Sequence, residues 1–156
     1  MSVKVKQVHH VGLTVSDFSR HKKLFEDVFS FKLFFEDVMT GPPTSCTGVK
    51  TDGIDFAFYS AGDPSVMIEI CHFKESGSDS EGVVKRTSDV GCSHFAFVVE
   101  DIKGTIQKMQ AVGVKLLSEP ITMTEGPGKG TLVTWMRDWD GHSYELCQLP
   151  EGVTAL

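Results

Sequence analysis

Two histidines and two glutamates lie at matching places in two repeated segments of this chain. HVGLTVSDF at 10–18 is answered by HFAFVVEDI at 94–102, and MIEICH at 67–72 by SYELCQ at 143–148. Imidazole nitrogen and carboxylate oxygen together suit Zn, Fe, Ni, Co or Mn, with room left for substrate. A bound ion of this kind polarises a carbonyl or holds two adjacent substrate oxygens. We therefore expect one divalent ion at His10, Glu69, His94 and Glu145.

The alternation of side chains along a β-strand predicts that these four residues all lie on the strand faces opposite the apolar ones. Side chains on a β-strand point alternately to opposite faces, so each polar residue lies opposite the apolar residues beside it. The residues two positions away on the same face are small, which predicts a hollow around each polar group; they are Gly12, Cys71, Ala96 and Cys147.

The repeat also predicts the order of the elements. In each copy a strand, a capped amphipathic helix starting at Asp17 or Asp101, and three further strands give a βαβββ module. The first helix is expected over about 18–29, and 41–45 as a loop because it holds two prolines. Residues 56–71 align with 132–147 without a gap. We expect one α+β domain over 1–156, with modules at about 5–73 and 92–149 and a Ser/Gly/Glu-rich linker at about 74–91.

Composition limits the partners. The formal net charge of −6 disfavours nucleic acid, which selects basic surfaces, and no apolar run approaches the length of a membrane span. The first residues lack the apolar segment of a secretory signal, and the four cysteines form no Cys-x-x-Cys pair. These features favour a cytoplasmic protein that binds neither nucleic acid nor a membrane.

The motifs resemble the vicinal oxygen chelate superfamily, also called the glyoxalase, bleomycin-resistance and dioxygenase superfamily. The matching segments are HHVGLTVSDF at 9–18, VMIEI at 66–70, SHFAFVVEDI at 93–102 and RDWDGHSYEL at 137–146. The resemblance implies paired modules that form an open, incomplete barrel around a divalent metal ion. Its metal positions fall on the same four residues, and it implies a homodimer.

The complete ligand set is similar to that of lactoylglutathione lyase (glyoxalase I) and of methylmalonyl-CoA epimerase. The resemblance implies a lyase, isomerase or epimerase that moves a proton on a carbon next to a carbonyl. Glu145, with Glu69 second, would transfer the proton, because the epimerases commonly have a glutamine at the Glu69 position. The substrate would be a hydroxy acid, keto acid or thioester. Glyoxalase I usually carries an arginine on the first strand, where this chain has Gly12, Leu13 and Thr14, which argues against glutathione.

Two other functions of the same fold stay open. Extradiol ring-cleavage dioxygenases use two histidines and one glutamate on Fe(II), which His10, His94 and Glu145 could supply. A resistance or small-molecule-binding protein is the second alternative, although bleomycin-type binders normally lack the metal residues.

Three further residues could contact the substrate. Lys129, in a glycine-rich loop, could meet an anionic group or lie in a solvated turn. Arg137 could pair with a substrate carboxylate, or with a neighbouring aspartate. Trp135 could line the pocket or belong to the core.

Overall fold

The computed structural model describes residues 4–62, 66–74 and 86–153. The chain divides into two compact units, Met1–Ser80 and Glu81–Leu156. Of the linker expected at about 74–91, residues 75–85 lie outside the described part, whereas Lys74 ends a strand and residues 86–91 form turns.

The first unit contains one four-stranded sheet. Its elements are β1 (His10–Thr14), α1 (Phe18–Lys23), β2 (Lys32–Met39), β3 (Gly53–Ser60) and β4 (Met67–Lys74). The strand order is β1-β4-β3-β2, in which β1 runs parallel to β4 and the other neighbours are antiparallel.

The second unit repeats this arrangement. Its elements are β5 (His94–Val98), α2 (Ile102–Ala111), β6 (Lys115–Leu116), β7 (Ile121–Thr122), β8 (Leu132–Arg137) and β9 (Ser143–Gln148). The order is β5-β9-β8-β6, again with the first strand parallel to the last, and β7 pairs with β8. The predicted α+β class, with a helix after the first strand of each sheet, is confirmed.

Both helices begin where their capping residues predict. The Asp17 carboxylate accepts a hydrogen bond from the Arg20 amide (2.9 Å), and the Asp101 carboxylate accepts one from the Gly104 amide (3.0 Å). Each bond satisfies an amide that has no acceptor inside the helix. Among the described residues, no helix is both long and apolar enough to span a bilayer.

One face of each sheet forms apolar core. In the first unit, Leu13, Ile68 and Ile70 are buried together with Leu24 and Phe25 of the helical segment. In the second, Tyr144 and Leu146 are buried, as are Ile102, Ile106 and Met109 of α2. The alternate residues of the same strands therefore project from the opposite face, where the predicted ligands lie.

Three local features differ from the sequence-based expectation. The first helix changes to a π-helical turn at Leu24–Val28, where the Phe29 amide donates to the Leu24 carbonyl (3.1 Å). The expected loop after β2 contains a 3₁₀ helix at Pro42–Thr47, which tolerates proline in its first turn. The short strand β7 was not predicted, because two residues carry no periodicity.

The ungapped alignment of 56–71 with 132–147 is wrong by one residue. Glu69 pairs with Phe58 on β3, whereas Glu145 pairs with Trp135 on β8. Trp135 therefore corresponds in space to Phe58 and not to Tyr59. The cause is the β3–β4 connection, which is one residue longer than the β8–β9 connection.

Candidate metal centre

The first His–Glu pair is formed by the neighbouring parallel strands β1 and β4. Gly12 lies directly opposite Glu69 in the pairing register, and His10 is two residues earlier on the same face. The His10 Nε2 atom lies 3.2 Å from Glu69 Oε2. A Cβ atom built on Gly12 would lie 3.3 Å from that same oxygen. Glycine at this position thus leaves the space that the Glu69 carboxylate occupies.

The second pair repeats this geometry on β5 and β9. Ala96 lies opposite Glu145, His94 is two residues earlier, and His94 Nε2 lies 3.2 Å from Glu145 Oε2. The histidine side chains are 37% and 44% exposed and the glutamates 17% and 23%. Each carboxylate is therefore partly shielded while each imidazole remains accessible.

The separation within each pair fits two ligands of one ion. With metal–ligand bonds of about 2.1 Å, adjacent ligands lie about 3.0 Å apart in octahedral geometry and about 3.4 Å apart in tetrahedral geometry. Both observed separations, 3.2 Å, fall between these values. The structure brings His10 to Glu69 and His94 to Glu145, each pair within its own unit.

An aromatic ring stands beside each pair. The Phe58 ring lies edge-on to His10, with centroids 5.3 Å apart, and the Trp135 ring lies 4.4 Å from that of His94. The sequence-based interpretation missed Phe58 and left Trp135 between pocket and core. Strand parity contained the signal for Phe58, but the ungapped alignment directed attention to Tyr59, which is fully buried on the other face.

The two pairs differ in what supports the histidine. His9 Nδ1 lies 2.8 Å from His10 Nδ1, so one imidazole donates and the other accepts. The equivalent neighbour of His94 is Ser93, and there the Trp135 ring provides the support. His9 thus orients the His10 ring and leaves its Nε2 atom directed towards Glu69.

Two thiols share the face of the ligand pairs. Burial, followed by the charge of Glu69 and a hydrogen bond to it, raises the pKa of Cys71 to about 12. Burial and then the charge of Glu145 raise the pKa of Cys147. Both groups therefore stay neutral near pH 7 and act as small side chains rather than as nucleophiles.

A buried carboxylate organises the turn that leads into β9. Asp138 Oδ1 accepts hydrogen bonds from the amides of Asp140 (3.0 Å) and His142 (2.9 Å). Asp138 Oδ2 accepts one from the hydroxyl of Tyr144 (2.8 Å). Because Tyr144 directly precedes Glu145, this turn helps to set the position of the Glu145 side chain.

The three expected substrate residues lie in different surroundings. Trp135 pairs with Glu145, and Arg137 pairs with Ser143, so both project from the face that carries His94. The closest side-chain contact described for Arg137 is 3.5 Å, from its guanidinium to Ser143 Oγ. Lys129 is exposed in a turn in which its amide donates to the Gly126 carbonyl.

The remaining acid–base side chains of the closing strands point away from this face. His72 Nδ1 lies 3.1 Å from the Val15 carbonyl oxygen, and Tyr144 is fully buried. Neither is therefore placed beside a ligand pair, as their strand parity predicts.

Comparison with known sequences and structures shows which proteins the chain is similar to. The sequence model of the Glyoxalase/Bleomycin resistance protein/Dioxygenase superfamily matches residues 7–146. The chain is 29% identical to a 2-epi-5-epi-valiolone epimerase from an Actinomyces species, over 93% of this chain and 80% of that protein. It is 26% identical to a lactoylglutathione lyase from Haemophilus influenzae, over 91% of this chain and 92% of that protein. The crystal structure of a glyoxalase family protein from Bacillus cereus superposes with a TM-score of 0.80 at 18% identity, covering 94% of this chain and 96% of that one.

Proposed function

The chain belongs to the Glyoxalase/Bleomycin resistance protein/Dioxygenase superfamily, and from this membership we propose that it is a metal-dependent lyase, isomerase or epimerase. The reaction moves a proton on a carbon atom next to a carbonyl group. His10, Glu69, His94 and Glu145 hold one divalent ion, of Ni, Co, Zn, Mn or Fe. The observation that carries the proposal is the repeated His–Glu pair, with the same 3.2 Å separation in both units.

The donor set suits the group that the proposal requires. Two neutral imidazoles and two carboxylates neutralise a divalent charge and leave coordination positions for substrate oxygens. The bound ion supplies positive charge that polarises the substrate carbonyl and makes the neighbouring C–H bond more acidic. Because the pairs are equivalent in the repeat, neither half of the chain supplies the full set alone.

Glu145 accepts the proton from carbon and returns it, and Glu69 is the second choice. A carboxylate that moves a proton needs access to the substrate, and Glu145 is the more exposed of the two. Glu69 is further engaged by the Cys71 thiol and by the close approach of Gly12. Together these contacts make Glu69 the more constrained carboxylate.

Substrates without glutathione fit the first unit better than glutathione adducts. Strand β1, His10–Thr14, carries no lysine or arginine that could hold a glutathione carboxylate. The similarity to an epimerase favours a hydroxy ketone, and the similarity to a lactoylglutathione lyase supports a lyase as second candidate. Arg137 on β8 is a suitable partner for an anionic oxygen, and Lys129 is a second cation for this role.

Solvent exchange tests the reaction. In D₂O, we expect the metal-loaded protein to replace a carbon-bound proton in at least one of four substrate types: a hydroxy ketone, a 2-keto acid, an acyl-CoA thioester and a hemithioacetal. NMR measures the loss of the proton signal. Glu145→Gln should lower the exchange rate at least about 100-fold, and Glu100→Gln, at an exposed position, should leave it unchanged.

Two results would contradict the proposal. Full exchange in Glu145→Gln removes the role of that carboxylate. Cleavage of a catechol ring with O₂ uptake, and no exchange in any substrate, assigns the protein to the dioxygenases instead.

We further propose that the protein is a homodimer, and mixed dimers decide whether the ion is held within one chain or between two. His10→Ala damages only the first unit and Glu145→Ala only the second. If the two units at each ion come from different chains, a dimer of one chain of each variant regains one intact set of ligands. If they come from one chain, the mixed dimer regains none. Metal content of the mixed dimer, against each variant alone, gives the answer.

A further inference from the structure

We propose that the second unit contains a preformed subsite for an uncharged ring of the substrate that bears hydroxyl or keto groups. It is an open depression of about 460 Å³, lined among the described residues by Thr87, Ser88, Leu117, Ser118 and Trp135, of which all but Trp135 are exposed. This volume lies within the range of about 300–1,000 Å³ that small-molecule pockets occupy. The inference rests on the proposed function, because it identifies the part of the substrate beyond the reacting carbon.

Trp135 connects the cavity to the second His–Glu pair. Its indole lies against the His94 imidazole, with centroids 4.4 Å apart and planes inclined by 48°. The same residue pairs with Glu145 across β8 and β9. A ligand that contacts Trp135 in the cavity therefore places its adjoining atoms next to the His94–Glu145 pair.

One wall of the cavity is a turn that hydrogen bonds hold in place. The Asp89 amide donates to the Arg86 carbonyl (3.0 Å), which makes Thr87 and Ser88 the central residues of a β-turn. The Asp89 carboxylate accepts from the Arg86 amide (2.9 Å) and pairs with the Arg86 guanidinium (2.9 Å). The backbone that carries the two hydroxyl-bearing side chains is thus held by hydrogen bonds.

A second part of the lining is attached to β8. The Leu117 amide donates to the Trp135 carbonyl (2.9 Å), and the Thr134 hydroxyl donates to the Ser118 carbonyl (2.5 Å). Because hydrogen bonds hold the backbone of this segment against β8, little backbone ordering is needed on binding, and preorganisation of this kind favours affinity.

The chemistry of the lining selects the ligand. Among the described residues of the lining, none carries a charge and three carry hydroxyl groups. The indole and Leu117 offer apolar surface to one face of a ring, and the hydroxyls can exchange hydrogen bonds with substituents at its edge. The formal net charge of −6 disfavours an anion. A six-membered polyol or hydroxy ketone combines these features.

The test compares a neutral and an anionic ring by isothermal titration, with 2-keto-myo-inositol and D-glucuronate as probes. We expect the wild-type protein to bind the neutral probe more tightly, and Trp135→Ala to weaken that binding about tenfold. Trp135→Phe, which retains an aromatic ring, should lose less affinity for the neutral probe. This variant replaces Trp135→Ala in the test if the alanine variant does not fold. Ser118→Lys should weaken the binding of the neutral probe and strengthen the binding of glucuronate. Thr122→Lys adds the same charge at an exposed position outside the lining and should change neither affinity.

The inference is overturned if wild-type protein binds neither probe, if it binds glucuronate more tightly, or if both Trp135 variants bind the neutral probe as wild type does. Repeating the titrations in the presence of a chelator, which removes any bound metal ion, tests the subsite independently of the proposed function. Binding that survives chelation and depends on Trp135 supports the subsite even if the protein exchanges no proton.

Discussion

Replacing Asp138 by alanine should destabilise the second unit by roughly 3 kcal/mol. Hydrogen bonds to a charged group contribute about 1.5–3 kcal/mol. The bond from the Tyr144 hydroxyl is buried and is given the lower value, about 1.5 kcal/mol. The two amide bonds from the turn are part-buried and are given about half of that each. The three contributions together give the stated loss.

A double-mutant cycle isolates the Tyr144 contribution. Tyr144→Phe alone should cost about 1.5 kcal/mol. Because both single changes remove the same bond, the double variant should cost about 3 kcal/mol, less than the sum of the two single variants. Urea denaturation followed by circular dichroism measures these free energies of unfolding. Glu100→Ala, at an exposed position, is the control and should stay within about 0.5 kcal/mol of wild type.

Two outcomes would refute this reasoning. A loss below about 1 kcal/mol in Asp138→Ala means that the carboxylate does not organise the turn. Additive losses in the double variant mean that the Tyr144 hydroxyl and the Asp138 carboxylate do not interact in solution.

Three further predictions concern the tyrosines, Gly12 and the thiols. Burial, then hydrogen bonding to Glu26 or the charge of Asp138, raises the pKa of Tyr59 and Tyr144, the only two tyrosines in the chain, above the usual 10. Phenolate absorbance at 295 nm should therefore stay absent near pH 10. Because the pKa of each tyrosine is higher in the folded than in the unfolded chain, the tyrosines' contribution to the stability of the folded state is complete below pH 10 and falls as the pH rises further. Normal titration of either tyrosine in the folded protein would contradict this prediction. Gly12→Val should displace the Glu69 carboxylate and weaken metal binding about tenfold, measured by competition with a chelator, whereas Ala96→Gly should have little effect. Equal metal affinity of Gly12→Val and wild-type protein would show that the space at Gly12 does not position Glu69. A thiol reagent at pH 8 should modify exposed Cys46 well before half-buried Cys71 and buried Cys147. Reaction of all three at the same rate would contradict this prediction.

The faces of the ligand strands could be predicted from the sequence, because β-alternation depends only on neighbouring residues. Ile68 and Ile70 on one side of Glu69, and small residues on the other, determine which face is packed. The repeat added the equivalence of the two His–Glu pairs. The caps at Asp17 and Asp101 were predictable for the same local reason.

Features that depend on pairing between distant residues could not be predicted. The partner of Glu69 on β3 depends on the length of a connection, and one extra residue exchanged Phe58 for Tyr59. The π-helical turn arises where Leu24 and Phe25 are both buried, which helical periodicity does not encode. The cavity beside Trp135 combines a turn before β5 with the end of β6, and no sequence pattern links these segments.

Counting bound ions tests the central claim most directly. Chelator-treated protein titrated with Co²⁺, with the visible absorption of the bound ion as the signal, gives the number of sites per chain. Two His–Glu pairs that share an ion predict a break at one equivalent per chain, and His10→Ala and Glu145→Ala should each lose it. Two equivalents per chain, or one retained in both variants, would contradict the account.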